Sequence, residues 1–174
     1  MPWQGCSIYE RDHERGAMSA GGKLPAAVAA LVLALDQASK EWILTHVMMP
    51  PRVIEITSFF NVVLVWNRGV SFGLFNNDSP YNSYVLAAVS AIVVVFLAFW
   101  VWRTPVYTIR LVLGAIMGGA IGNAIDRLRH DGVVDFLDFH WGGWHWPAFN
   151  CADSAIVVGA AVLMADSLFR PHKI

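Results

Sequence analysis

Apolar positions along this 174-residue chain gather into long blocks separated by polar punctuation, and the blocks predict membrane-crossing helices. The first runs from Leu24 to Leu35, passes through Asp36-Gln37-Ala38-Ser39-Lys40-Glu41, and continues to about Val47. At 1.5 Å per residue that is enough to cross a hydrocarbon core of roughly 30 Å. Asp36 and Lys40, four apart, share one helical face and can neutralise each other. Pro50-Pro51 ends the helix. Tyr84 to Trp102 is nineteen residues without a charge, the clearest span, closed by Arg103-Thr104-Pro105. A third span is expected from about Val106 to Ile125, where Gly114, Ala115, Gly118, Gly119, Ala120 and Gly122 permit close helix packing. A fourth runs from about Phe149 to Leu168.

Between these blocks, residues 52–66 are rich in β-branched and aromatic side chains and partly alternate, which predicts short strands or an interfacial layer. Asn67 to Gly73 and Asn76 to Pro80 carry turn chemistry. Residues 1–23 are polar, mixed in charge and without periodicity, and are expected to be a disordered extension rather than a secretory signal. The expected fold is therefore an all-α integral membrane protein with four transmembrane helices and a small external β-rich or interfacial segment. Its parts are an extension over 1–23, a four-helix domain over 24–170 and a tail over 171–174. Basic residues near the span ends (Lys23, Arg103, Arg110, Arg170, Lys173) favour both termini in the cytoplasm.

Composition sharpens this picture. Only 14% of residues are charged and 56% are hydrophobic, whereas a soluble domain carries about a quarter charged residues. A net charge of −1 argues against a nucleic-acid partner, since no basic surplus is available for phosphates. Eight Trp residues suit a membrane interface. Cys6 and Cys151 are read as free thiols, and no C-x-x-C or H-E-x-x-H spacing points to a metal.

Candidate chemistry concentrates between Gly118 and Asp153, which holds Asp126, Arg127, Asp131, Asp135, Asp138 and Asp153 beside Asn123 and Asn150. Ionisable groups at membrane depth mark function by default. In the four-span topology Asp36/Lys40, Asn123/Asp126/Arg127, Asn150/Asp153 and the Asn67–Gly73 loop all reach the outer interface. No serine, histidine or cysteine sits in a nucleophile setting. What remains is a carboxylate pair, which can share a proton and split into a general base and a general acid. Asp126–Arg127 reads equally as a helix-terminal ion pair, Asp131 and Asp138 as solvated loop residues, and Asp153 as a helix cap. The residues alone do not single out Asp135 from Asp126, Asp131 or Asp138.

Five blocks, in order, carry a resemblance over roughly residues 24–170: Asp36-Gln37-Ala38-Ser39-Lys40, Asn67-Arg68-Gly69-Val70-Ser71-Phe72-Gly73, Gly119-Ala120-Ile121-Gly122-Asn123-Ala124-Ile125-Asp126-Arg127, Val133-Val134-Asp135-Phe136 and Phe149-Asn150-Cys151-Ala152-Asp153-Ser154. Together they resemble lipoprotein signal peptidase, the bacterial membrane aspartic peptidase also called signal peptidase II. The resemblance implies Asp135 and Asp153 as catalytic residues. It places Asn67, Gly69, Asn123, Arg127, Asn150, Asp36 and Lys40 in binding or supporting roles, with no cofactor or metal. It also implies a monomer in the bacterial inner membrane, with its site near the periplasmic face, cleaving diacylglyceryl-modified prolipoproteins before the lipid-modified Cys. The run Trp141-Gly142-Gly143-Trp144-His145-Trp146 is expected to anchor at the interface or cover substrate. The rival expectation is a small proton-coupled transporter using the same carboxylates as a relay; the apolar inner halves of the second and fourth spans disfavour it.

Overall fold

The computed structural model describes residues 6–69 and 81–169, with side chains from residue 23 onward. The expectations for the Cys6 side chain, for Val70 to Pro80 and for the tail from Arg170 lie outside what is described. Helix α1 spans Cys6–Trp42 and opens into a wider π turn, Ile43–Val47. Its backbone begins inside the 1–23 stretch that the sequence suggested was disordered. Strands β1 (Ile54–Thr57) and β2 (Phe60–Asn67) follow, then helices α2 (Asn82–Arg103) and α3 (Tyr107–His130). Strands β3 (Val133–Trp141) and β4 (Trp144–His145) lead into helix α4, Cys151–Phe169.

Among the described residues, three helices, α2, α3 and α4, are long and apolar enough to cross a membrane. The expected first span falls on α1, which is not among those three; its C-terminal turns carry Asp36, Lys40 and Glu41. The fold is mostly helical but not all-α: a four-stranded sheet in the order β1-β2-β3-β4 caps one end of the helices. Asp138 was expected in a solvated loop, and residues 133–145 instead form half of that sheet. The alternation there is masked because Val133, Val134, Asp135 and Phe136 are buried on both faces, and strands buried on both faces read as continuous runs.

Helix α3 is the central post, packed against α1, α2 and α4. Its small residues make this possible. Gly114, Gly118 and Gly122 fall one turn apart on the face toward α1, where a Cβ would strike the Pro25 carbonyl, the Ala29 carbonyl and the Asp36 carboxylate respectively. Gly119 meets the Ala152 carbonyl of α4, with 2.6 Å to a hypothetical Cβ. Close backbone approach of this kind is how helices associate where lipid supplies no hydrophobic drive. Gly118→Val is accordingly expected to lower stability by about 2–3 kcal/mol through overpacking, read as an earlier thermal transition in detergent.

The outward faces of α2 and α4 are apolar, with Val85, Ile92, Phe96, Val157 and Val158 exposed. Two small cores sit inside: Leu97, Ile109, Leu113 and Ile116 between α2 and α3, and Ile43, Met48, Val134 and Phe136 between the π turn and the sheet. β2 and β3 are antiparallel, with Val65 opposite Asp135 and Asn67 opposite Val133. β3 turns into β4 through Gly142 and Gly143, both at positive φ (57° and 85°), as a two-residue hairpin turn requires. Trp141, Trp144 and Trp146 project from this hairpin and remain exposed.

Candidate active site

The site lies where β3 passes the start of α4. Phe149, the residue before Asn150, is stitched to β3 by backbone bonds: its N–H donates to the Leu137 carbonyl, and its own carbonyl accepts from Phe136 and Leu137. This pairing sets Asp135 beside the first turn of α4. There Asn150 acts as helix cap. Its Oδ1 accepts from the Asp153 N–H at 2.9 Å, and Asp153 Oδ2 accepts in return from the Asn150 N–H at 3.3 Å. That reciprocal arrangement is a capping box with Asn and Asp in the two roles. The capping expected for Asp153 is therefore present, but it engages one carboxylate oxygen only. The other, Oδ1, accepts from Asn123 Nδ2 at 2.7 Å.

Asn150 ties the two aspartates together. Its Nδ2 donates to Asp135 Oδ1 at 2.7 Å while its own N–H and Oδ1 hold Asp153. From the sheet side Asn67 Nδ2 donates to Asp135 Oδ2 at 3.0 Å. Asn67 in turn accepts the Gly69 N–H on its Oδ1 at 3.2 Å, and Arg127 Nη2 reaches the Gly69 carbonyl at 3.5 Å. Asp135 is 1% exposed. Burial pushes its carboxyl up to about 7, reinforced by the negative charge of Asp153 and opposed by the Asn67 and Asn150 amides and by Lys40. A carboxyl in that range can carry a proton at neutral pH.

Beneath this pair lies a buried charged layer between α1 and α3. Lys40 Nζ contacts Asp36 Oδ2 at 2.8 Å, Asp126 Oδ2 at 2.8 Å and Asn123 Oδ1 at 3.0 Å. Asp36 Oδ1 accepts the Ala152 N–H at 2.9 Å, holding α4's first turn. Asp126 Oδ2 accepts the Val134 N–H at 3.2 Å, and Gln37 donates to Asp126 Oδ1 at 2.8 Å. The expected Asp36–Lys40 pair is present. Asp126, expected to pair with its neighbour Arg127, pairs with Lys40 across the helix interface instead. Gln37 and Asp126 are thus members of the network that sequence reasoning did not select. Their signal was one of topology: α1 and α3 each bring a polar residue a turn from Gly122, where the helix backbones approach closely.

All nine site residues inferred from sequence, Asp36, Lys40, Asn67, Gly69, Asn123, Arg127, Asp135, Asn150 and Asp153, belong to this one connected network. Asp131 is exposed at the end of α3, as expected for a solvated residue, with φ 56°. Asp138 is not solvated. It is buried on β3, accepting from Asn61 Nδ2 at 3.1 Å and lying 2.9 Å from His145 Nδ1. His140 and His145 sit on β3 and β4 and stack on each other. Cys151 is a free thiol, 3.4 Å from Ser39 Oγ. A cavity of about 380 Å³ opens onto Asp153 and Asn67, walled by Trp146, Phe149, Val157 and Val158. It has one carboxylate at its floor and otherwise largely apolar walls, which suits a substrate that brings both an amide and a hydrophobic body.

Comparison with known proteins shows what the chain is similar to. The sequence matches the family described as signal peptidase (SPase) II over residues 28–169. It is 46% identical over 150 residues to a lipoprotein signal peptidase of Nitrobacter hamburgensis, covering 83% of this chain and 90% of that protein. It is 45% identical over 145 residues to a lipoprotein signal peptidase of Rhodopseudomonas palustris, covering 80% and 88%. Among solved structures, a bacterial membrane enzyme determined by the in meso method at 1.9 Å superposes with TM-score 0.72 at 25% identity, covering 84% of this chain and 94% of that one.

Proposed function

The chain belongs to the signal peptidase II family, and from that premise we propose that it is an aspartic endopeptidase removing signal peptides from diacylglyceryl-modified prolipoproteins. The observation that carries the mechanism is the sharing of Asn150 by Asp135 and Asp153. Asp135, with its raised carboxyl, is the acid. Asp153, open to the cavity, is the base. Ionised Asp153 takes a proton from water, the water oxygen attacks the scissile carbonyl, and Asp135 protonates the departing amine. The carbonyl carbon gains the water oxygen and loses the amine nitrogen, so the products are a free carboxylate and a new N-terminal amine. Cleavage falls before the lipid-modified Cys.

In this reading α1 is the first of four spans, both termini face the cytoplasm, and the sheet rests at the periplasmic interface of the inner membrane. The chain acts as a monomer among membrane lipids. The substrate's acyl chains lie along the exposed apolar face of α4, bringing the bond to the dyad and turning binding into proximity. Arg127 reaches the Gly69 carbonyl, and the Gly69 N–H donates to Asn67, which borders the cavity. The exposed Trp hairpin lies at the interface, one edge of the same cavity being Trp146.

The test is a gel-shift assay on a verified lipidated prolipoprotein, with excess chelator and an Asp153→Asn control. Cleavage is expected to survive the chelator and to vanish in the variant. Folded wild-type protein that leaves the substrate intact would instead favour the proton-relay reading.

A further inference from the structure

We propose that Lys40 is a positioning residue: it dictates which way the Asn123 amide faces, and thereby gives Asp153 a hydrogen-bond donor in place of an acceptor. The proposal rests on the dyad reading above and adds a control to it. An ammonium group has three donors and no acceptor. Here all three are taken, by Asp36 Oδ2, Asp126 Oδ2 and Asn123 Oδ1. Asn123 must therefore turn its oxygen to Lys40. Asn150 Nδ2 adds a second donor to that same oxygen at 3.3 Å. The consequence is forced: the Asn123 NH₂ points the other way, onto Asp153 Oδ1 at 2.7 Å.

A carboxylate can accept that hydrogen bond while ionised, which is the state a base needs. Were the amide reversed, its oxygen would face Asp153 and would be satisfied only by a proton on that carboxyl. The charged groups around Asp153 are Asp36 and Lys40 from α1, Asp126 and Arg127 from α3, and Asp135 from β3. Lys40 is the cation among them with no backbone acceptor of its own, whereas Arg127 is committed to the Asn123 and Gly69 carbonyls. Lys40 also acts on the backbone under Asp153, because it orients Asp36, whose other oxygen holds the Ala152 N–H. A buried lysine in an otherwise apolar helix bundle is costly; its placement one amide away from a dyad member gives it a use beyond neutralising two aspartates.

The experiment measures kcat and KM against pH for prolipoprotein cleavage by the full chain in detergent. The variants are Lys40→Gln, Asn123→Ala and the two combined. Glutamine has an acceptor as well as donors, so it lets the Asn123 amide reverse. Lys40→Gln is expected to lower kcat about tenfold or more near pH 5.5 and much less near pH 8, with KM within about twofold, because the acid limb of kcat moves to higher pH. Asn123→Ala is expected to reproduce the effect, and the double variant to add less than about twofold to it, as for residues acting through one another.

Where Lys40→Gln does not fold, the charge-balanced Lys40→Met/Asp36→Asn variant carries the same expectation, since Asn at position 36 keeps an acceptor for the Ala152 N–H. Equal loss of kcat at every pH overturns the proposal, and so does a Lys40 effect that persists in full without the Asn123 amide, which would be direct charge action. Failure of the dyad reading is separate: it would appear in the wild type, or as normal turnover by Asp153→Asn.

Discussion

Asp135→Asn is expected to abolish prolipoprotein cleavage and to make the protein more stable above neutral pH. In the proposed mechanism the loss of activity follows from removing the acid that protonates the leaving amine, a role worth a factor of about 10²–10⁴. The stability gain follows from the sign of the Asp135 shift. Its carboxyl titrates near 7 in the folded chain against 3.8 for an ordinary aspartate. The native state therefore holds a proton that the unfolded state has released. That contribution is complete below about pH 4 and is lost as pH rises through about 7, amounting to roughly 4 kcal/mol at most. Asparagine is never ionised and escapes the loss. It also sets an NH₂ against one of the two amides, Asn67 or Asn150, that now donate to Asp135, at a cost of about 1 kcal/mol. A net gain of about 3 kcal/mol at pH 8, turning into a net loss of about 1 kcal/mol near pH 4, is the expected outcome. Thermal unfolding at both pH values checks it, and a variant less stable than wild type at pH 8 would contradict the assignment of Asp135 as the costly anion. In the wild type the same titration predicts that cleavage declines as pH rises through about 7, the acid being lost.

Asp153→Asn is expected to be equally inactive but for the opposite chemical reason. The variant retains an oxygen that can still accept from either Asn123 or the Asn150 N–H, but not a second one. One donor loses its partner, at a cost of about 1 kcal/mol. The water is left without a base, so turnover should fall by about a thousandfold or more. Parallel kcat and thermal measurements check both variants: each is expected to be inactive while keeping a cooperative transition, a pattern that general loss of folding cannot produce.

Much of this arrangement was legible because it is local in sequence. Apolar run lengths report α2, α3 and α4 within a few residues of their ends, since crossing lipid requires an unbroken apolar stretch. The i, i+4 spacing of Asp36 and Lys40 reports their ion pair, and Asn150 with Asp153 reports a helix cap, because each interaction closes within one helical turn. The glycine series of α3 announces a close helix contact without naming the partner.

What the sequence could not determine were the contacts that depend on which distant segment arrives. β3 hides in an apolar run because both its faces are covered, so the loop expected there is a strand and Asp138 is buried rather than solvated. Asp126 has Arg127 beside it in the chain, yet Lys40, eighty-six positions earlier, takes it, because α1 packs on the glycine face of α3 and brings an ammonium to that depth. The order of Asp135 over its neighbours as dyad candidate is likewise invisible to spacing. It depends on Phe149 pairing with Leu137, which lays β3 against the start of α4. Periodicity and capping act through adjacent turns and are written in the sequence; charge pairing and burial act across space, and only the packed helices and sheet decide them.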